Sequence, residues 1–167
     1  MQTEEITFHI KDFRTRDIRM YCFVCTGNTC RSPMAAAVLN HYGAPHGIFA
    51  FSRGIAANEG APISENAAAA LEDSGIVSEG RNEYLRHRAT QFTKEDFDRC
   101  DGVFAISPSH ASALIMAFPE YAGKILVLGD ISDPFGGDLE RYKACLGDIK
   151  AGIKEVFPYI FENENRD

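Results

Sequence analysis

A cysteine and an arginine stand at the two ends of a seven-residue run whose composition suits an anion-binding loop. The run follows an apolar stretch and reads Cys25-Thr26-Gly27-Asn28-Thr29-Cys30-Arg31, with Ser32 and Pro33 next. This order predicts a strand, a tight loop and a helix N-terminus, where backbone N–H groups converge on an anion with the geometry of phosphate. The same field favours the thiolate of Cys25, a strong nucleophile, and the planar guanidinium of Arg31 suits two phosphate oxygens. These residues predict covalent phosphoryl transfer through a thiol-phosphate.

The run resembles the phosphate loop of the low-molecular-weight protein tyrosine phosphatase family. A second element of that family lies far downstream, at Asp133-Pro134-Phe135-Gly136-Gly137, and weaker matches fall at residues 52–55 and 87–97. The matches cover residues 20–157 in family order. No Gly-x4-Gly-Lys-Ser/Thr run is present, so the loop is not the nucleotide-binding type.

The resemblance implies a phosphatase that works through a phosphocysteine intermediate. Cys25 would attack phosphorus in line, and Arg31 would hold the phosphoryl oxygens as their charge rearranges. Asp133 would protonate the leaving group and then activate the water that hydrolyses the intermediate. Ser32 would donate its hydroxyl to the sulfur, although a plain helix cap is its simpler interpretation.

The loop itself is expected to need support, because Gly27 and Asn28 both tolerate the positive φ angles that such a loop uses. By the resemblance, Asn28 is held by hydrogen bonds that involve Ser52 and His87. The expected phosphate-binding residues are Thr26, Gly27, Asn28, Thr29, Cys30, Arg31 and Ser32.

Thr29 and Phe135 are the residues expected to set specificity. The run with threonine at 29, together with phenylalanine after Pro134, is similar to the bacterial protein-arginine phosphatase branch, whereas tyrosine-directed relatives usually carry a larger aliphatic residue at that position. Thr29 is short and brings a hydroxyl beside a planar guanidinium, and Phe135 can flank a guanidinium as readily as a phenol. The interpretation favours phosphoarginine, with phosphotyrosine as the alternative.

The five cysteines form an odd set with no Cys-x-x-Cys pair, which favours free thiols in a reducing compartment and gives no sign of a zinc site. The resemblance implies a reversible disulfide between Cys30 and Cys25 that shields the nucleophile from overoxidation. The alternative interpretation is that Cys30 is a small buried apolar residue. The remaining thiols, Cys22, Cys100 and Cys145, are expected in the core or on the surface.

Strand and helix patterns alternate from residue 20 onward. The predicted strands are 20–24, 48–52, 103–107 and 124–128, and the predicted helices are 32–42, 64–74, 93–100, 108–117 and 138–159. The alternation predicts an α/β domain with a four-stranded parallel sheet, helices on both faces and the phosphate loop after strand one. Ligands of such sheets lie beyond the carboxyl ends of the strands, where Cys25, Ser107 and the Asp133 loop all fall.

The 167 residues are expected to form one phosphatase domain, residues 20–167, after an extension, residues 1–19, that is either an edge strand or a tail. A net charge of −7 argues against nucleic acid as a partner. No signal peptide or membrane-length apolar run is present, so a cytoplasmic bacterial monomer is expected. Its expected partner is a phosphorylated protein, its product is inorganic phosphate, and neither a metal nor another cofactor is expected.

Three other functions stay open. A thioredoxin-coupled arsenate reductase shares this fold and loop, but it needs a pair of redox cysteines where Cys100 stands alone. A phosphate-binding module without catalysis would be signalled by loss of Cys25, Arg31 or Asp133, and all three are present. An exopolysaccharide-linked tyrosine phosphatase differs from the favoured interpretation only in substrate.

Overall fold

The computed structural model describes residues 18–162 and residue 164. Strands and helices alternate along them in the order β1 (Arg19–Cys25), α1 (Arg31–Gly43), β2 (Ile48–Gly54), α2 (Glu65–Asp73), β3 (Gly102–Ala105), α3 (Pro108–Ala117), β4 (Ile125–Val127) and α4 (Leu139–Val156). Short 3₁₀-helices cover Ala44–His46, Tyr84–Arg86, Lys94–Arg99, Pro119–Lys124 and Pro158–Phe161. The predicted alternation is therefore confirmed.

The sheet has the strand order β2-β1-β3-β4, and each neighbouring pair is parallel. Parallel pairing brings the carboxyl ends of all four strands to one edge of the molecule. Cys25 is the last residue of β1, a central strand, and it pairs in register with Gly54 at the end of β2. The loop after β1 therefore lies at the carboxyl edge of the sheet, as predicted.

Side chains of β1 alternate between two buried layers, which puts helices on both faces of the sheet. Phe23 points into the larger core, shared with α1, α2 and α4. Cys22 and Val24 point the other way, into a smaller core that includes Phe97 and Leu114. Burying side chains of this size contributes roughly 1.5–3 kcal/mol each, so both layers stabilise the strand that ends at the nucleophile.

Several predicted boundaries differ from the observed ones by one to three residues, and one predicted helix is a 3₁₀-helix. Residues 93–100 were expected as a helix, and residues 94–99 form a 3₁₀-helix, a turn closed at its start by a reciprocal Thr93–Asp96 capping box. The last helix was expected to reach residue 159 but ends at Val156, because Pro158 has no N–H to continue it. Strand three ends at Ala105 rather than residue 107, since Ser107 already caps α3.

The expected extension, residues 1–19, falls mostly outside the described residues, which begin at residue 18. Arg19 is already the first residue of β1, so the first strand starts one residue earlier than predicted.

Candidate active site

The loop from Cys25 to Cys30 is held by its carbonyl groups. The carbonyl oxygens of residues 25–29 accept, in chain order, from Ile55 N–H at 2.9 Å, Ala56 N–H at 3.0 Å, Asn58 N–H at 3.2 Å, His87 Nε2–H at 2.7 Å and Ser64 N–H at 2.8 Å. All peptide bonds are trans in the described residues, so the N–H of each following residue points away from its carbonyl, to the inner side of the loop. No N–H of residues 26–31 donates to a protein acceptor within the part of the chain that the structure describes. These inward N–H groups form an anion-binding nest.

Asn28 is the strained residue of the loop. Its φ of 61° is left-handed, a conformation that is unfavourable for most side chains. Its side-chain NH₂ donates to Ser32 Oγ at 2.8 Å and Ser52 Oγ at 3.0 Å, and its Oδ1 accepts from Thr90 N–H at 2.9 Å. Every hydrogen-bonding group of this fully buried side chain is satisfied, which holds the loop in its strained form. No role was predicted for Thr90, which acts through its backbone N–H.

Cys25 begins the loop and is only 3 % exposed. Its Sγ is 2.9 Å from Ser32 Oγ. Ser32 Oγ accepts from Asn28, so its own hydrogen can turn either to the sulfur or to the carbonyl oxygen of Arg53, which lies 3.3 Å away.

A glycine outside the loop allows the loop to pack closely on β2. Gly27 and Asn28 were both expected to tolerate a positive φ, and of the two only Asn28 adopts one. Gly54, at the end of β2, is the residue that backs the loop: a Cβ there would lie 2.5 Å from the carbonyl oxygen of Thr26 and 3.0 Å from Cβ of Asn28. Only glycine allows the two segments to approach this closely.

Arg31 connects the loop to the segment that follows β4. The side chain is nearly buried, and its Nη1–H donates to the carbonyl oxygen of Ile131 at 3.1 Å. Ser107 Oγ–H donates to the same carbonyl at 3.1 Å. The other guanidinium nitrogen, Nη2, is 3.7 Å from Asp133 Oδ2. Arg31 therefore lies between the phosphate loop and the candidate acid.

Asp133 begins an exposed turn beside the loop, and 54 % of its side chain is accessible. Its Oδ1 accepts from Phe135 N–H at 3.1 Å, and Gly137 N–H donates to the Pro134 carbonyl at 2.8 Å. Phe135 is 75 % exposed at the tip of this turn. An aromatic ring that exposed is not part of the core.

Cys30 is buried next to a tyrosine that sequence reasoning missed. Its Sγ is 3.4 Å from the hydroxyl of Tyr142 on α4 and 3.7 Å from Thr29 Oγ1. Burial raises the pKa of Tyr142, and its hydrogen bond with Cys30 raises that pKa further. The tyrosine therefore stays a neutral O–H group beside this thiol.

The other three thiols are all buried. Burial raises the pKa of Cys22 and of Cys100, and it raises the pKa of Cys145 to about 12. These thiols are therefore unreactive in the folded protein.

One further residue contacts the loop without a sequence signal. His110 lies in the first turn of α3, is 3 % exposed, and places Nε2 2.9 Å from Thr26 Oγ1. Its Nδ1 is buried without a hydrogen-bond partner among the described residues. Burial lowers the pKa of His110 to about 4; the positive charge of Arg31 also lowers it, and Asp133 opposes this shift. The ring is neutral at physiological pH.

The described residues contain no group of three or more His, Cys, Asp or Glu side chains arranged to hold a metal ion. Within the same residues, no helix combines the length and apolarity needed to cross a bilayer.

Comparison with known proteins gives consistent matches. The family model for the low molecular weight phosphotyrosine protein phosphatases matches residues 20–166. A protein-arginine-phosphatase of Geobacillus stearothermophilus is 39 % identical over 142 residues, which cover 80 % of this chain and 90 % of that protein. The solved low molecular weight protein tyrosine phosphatase of T. tengcongensis is 35 % identical, with a TM-score of 0.76 over 84 % of this chain and 99 % of that one. A solved mutant of the YwlE arginine phosphatase that carries a phosphorylated active-site serine is 27 % identical, with a TM-score of 0.75 over 88 % and 98 % of the two chains.

Proposed function

We propose a substrate and a set of catalytic roles for this chain, which belongs to the low molecular weight phosphotyrosine protein phosphatase family and is an enzyme of that family. The proposed substrate is a protein that carries phosphoarginine, and phosphotyrosine is the alternative. The proposed product is inorganic phosphate. The reaction needs no metal or other cofactor in this proposal.

In the proposed reaction, the Cys25 thiolate attacks phosphorus and forms an S–P bond while the bond from phosphorus to the leaving nitrogen breaks. Asp133 gives its proton to that nitrogen, so the phosphorylated guanidinium departs as the arginine guanidinium cation and Asp133 is left as a carboxylate. A water molecule then attacks the phosphocysteine, its proton passes to the Asp133 carboxylate, and the S–P bond breaks. Arg31 and the inward N–H groups hold the phosphoryl oxygens through both steps.

The observation that carries this proposal is the orientation of the loop peptides. Five carbonyl groups are held outward by donors from outside the loop, so the N–H groups of residues 26–30 are fixed inward before any ligand arrives. Donors fixed in advance need no reorganisation when charge develops, which is the main source of electrostatic catalysis. A loop built only to fill space would not leave this many backbone donors without protein acceptors.

Substitution of the nucleophile tests the mechanism. We expect Cys25→Ser to abolish turnover of an aryl phosphate while the protein still binds inorganic phosphate and unfolds at an unchanged denaturant concentration. Cys100→Ala, which removes a buried thiol outside the loop, is the control and should retain turnover. Retained activity in Cys25→Ser would refute the covalent mechanism, and it would leave the phosphate-binding function to be tested separately.

The preference for phosphoarginine is supported by the mouth of the site. Thr29 Oγ1 has only a long contact with Cys30 Sγ among the described residues, so its hydroxyl is available to a donor-rich guanidinium group. Phe135 offers an exposed ring face on which a planar cation can stack. The relatives include both arginine- and tyrosine-directed phosphatases, so the preference must be measured.

The measurement is kcat/KM on phosphoarginine and phosphotyrosine peptides, with Thr29→Ser and Thr29→Ile as a matched pair. We expect the wild-type protein to prefer phosphoarginine. Thr29→Ser keeps the hydroxyl and should keep the preference, whereas Thr29→Ile should shift it toward phosphotyrosine. The same ratio in both variants would exclude Thr29 as the selector, and a wild-type preference for phosphotyrosine would establish the alternative.

We also propose that Cys30 is the resolving thiol for an oxidised Cys25, as the resemblance implies. Tyr142 supports this role, since its hydroxyl lies within hydrogen-bonding distance of Cys30 Sγ. After peroxide and then thiol treatment, we expect the wild-type protein to recover activity and Cys30→Ser not to. Cys145→Ser, which changes a neighbouring buried thiol on α4, should recover like wild type. Full recovery of Cys30→Ser would contradict the role.

A further inference from the structure

His110 is a buried polar residue that the proposed reaction leaves unused. It stands in α3, on the face of the sheet opposite α1, and reaches the loop only through the side chain of Thr26. Thr26 follows the nucleophile directly and is exposed at the mouth. An exposed threonine would normally change rotamer in solvent, whereas this one is tied to a buried ring at 2.9 Å.

The surroundings of the ring indicate which nitrogen carries the proton. Nδ1 is buried and has no partner among the described residues, and a buried N–H without an acceptor is less tolerable than a buried lone pair. The positive charge of Arg31 opposes a second proton on the ring. The neutral ring therefore carries its proton on Nε2, which donates to Thr26 Oγ1. That assignment leaves the Thr26 hydroxyl hydrogen free to turn toward the mouth.

Thr26 is thereby held from both sides of the loop. Its carbonyl oxygen accepts from Ala56 N–H at 3.0 Å, and its side chain accepts from His110. With carbonyl and side chain fixed, the backbone between them has little freedom, and the peptide that joins Cys25 to Thr26 carries the first inward N–H of the loop.

We propose that His110 is a positioning residue: by donating from Nε2 to Thr26 Oγ1, it fixes the side chain next to the nucleophile and leaves the Thr26 hydroxyl hydrogen for the phosphoryl group. The inference rests on the proposed phosphatase function. The proposed contact links α3, which packs in the smaller core, to the residue that follows the nucleophile.

The test uses two variants that differ in where they place an amide N–H. His110→Gln can place its amide nitrogen near the position of Nε2, whereas His110→Asn is too short to reach Thr26. We expect His110→Asn to lower kcat/KM for an aryl phosphate about tenfold, as for loss of one hydrogen bond, and His110→Gln to stay within about threefold of wild type. Equal loss in the two variants would overturn the role of the Nε2 donor.

A double-mutant cycle with Thr26→Val distinguishes positioning from a general effect on packing. Thr26→Val alters an exposed residue, so the fold is retained, and it should lose about the same tenfold as His110→Asn. The double variant should be no worse than either single one. Losses that multiply, or a Thr26→Val enzyme as active as wild type, would overturn the proposal even if His110→Asn fails to fold.

A control variant and the wild-type enzyme distinguish a failure of this proposal from a failure of the proposed phosphatase function. Asn40→Ala removes the side chain that bonds Ala50 on the edge strand, and should lower stability without changing kcat/KM. A wild-type enzyme without turnover would refute the proposed function. A wild-type enzyme with turnover that His110→Asn leaves unchanged would refute only the role of His110.

Discussion

The phosphate loop is held by two flanks that differ in what they contact. On the β2 flank, formed by the end of β2, residues 55–64 and residues 87–90, donors bond the carbonyl groups of the loop and the side chain of Asn28. On the β4 flank, formed by the start of α3 and residues 131–135, contacts reach only side chains, those of Arg31 and Thr26. The first flank is buried around Asn28, and the second includes the exposed Asp133 and Phe135.

In the proposed mechanism, this difference separates binding from proton transfer. Groups that bind the phosphoryl oxygens must be fixed in advance, and the β2 flank, together with Ser32 of α1, satisfies every polar atom of the strained Asn28 side chain. A general acid must reach a leaving group that changes with each protein substrate, and the β4 flank leaves Asp133 half exposed on a turn. Substitutions on the β2 flank should therefore change stability and activity together, and those of the exposed residues on the β4 flank, Asp133 and Phe135, should change activity alone.

Among the substitutions on the two flanks, Asp133→Asn should give the largest loss of activity. Removing the acid should lower kcat by about 100-fold or more on phosphoarginine, because loss of general acid catalysis typically has this magnitude. The free energy of unfolding should stay nearly constant, since the side chain is half exposed. The measurement is kcat for leaving groups of different basicity, together with urea unfolding. Equal slowing for good and poor leaving groups would remove Asp133 as the acid.

Asn28→Ala is the corresponding substitution on the β2 flank, where we expect stability and activity to fall together. It removes three hydrogen bonds and places alanine at φ 61°, so it should lower the unfolding free energy by about 2–4 kcal/mol and kcat/KM by more than tenfold. Asn28→Gly, which adopts that φ freely, should recover about 1 kcal/mol of the stability and little of the activity. If glycine restored full activity, the loop would depend on its backbone angle and not on the Asn28 network.

Gly54→Ala tests the same flank with a smaller change. The new Cβ would lie 2.5 Å from the Thr26 carbonyl oxygen, so the loop must shift. This shift should lower the free energy of unfolding by about 1–3 kcal/mol and lower kcat/KM several-fold. Gly123→Ala is the matched control, because nothing lies within 4 Å of its added Cβ. A Gly54→Ala enzyme that loses stability but keeps kcat/KM would break the proposed link between this flank and the loop.

The fold and part of the site could be predicted from the sequence because short motifs carry them. Alternating strands and helices predicted the parallel sheet, and the structure places Ser32, Ser52 and His87 in hydrogen-bond contact with Asn28. Gly27 and Asn28 both tolerate a positive φ, but only Asn28 of the two adopts one. Residue type alone could not separate Gly27 from Asn28.

Other parts of the site could not be predicted because they depend on contacts without a local pattern. Thr90 and Ile131 act through backbone atoms, which any residue type supplies. His110 is 84 positions from its partner Thr26, and Tyr142 is 112 positions from Cys30. A histidine near a helix start and a tyrosine in a helix are both ordinary features. The missed contacts come from both flanks: Thr90 lies on the β2 flank, and Ile131 and His110 lie on the β4 flank.

The smallest effect is a pH dependence of stability that involves both flanks. Burial lowers the pKa of His110 to about 4 and also lowers the pKa of His87, so the folded protein favours both rings neutral. The unfolded chain binds protons at an ordinary histidine pKa of about 6.5, so stability is complete above that pH and falls as pH drops toward 4. His110→Gln should flatten this fall without removing it, because His87 still contributes. The measurement is urea unfolding at several pH values between 4 and 7. If the unfolding free energy of His110→Gln fell with pH as steeply as that of the wild-type protein, the acid sensitivity would lie on the β2 flank. The buried ring of His110 would then accept a proton without destabilising the fold.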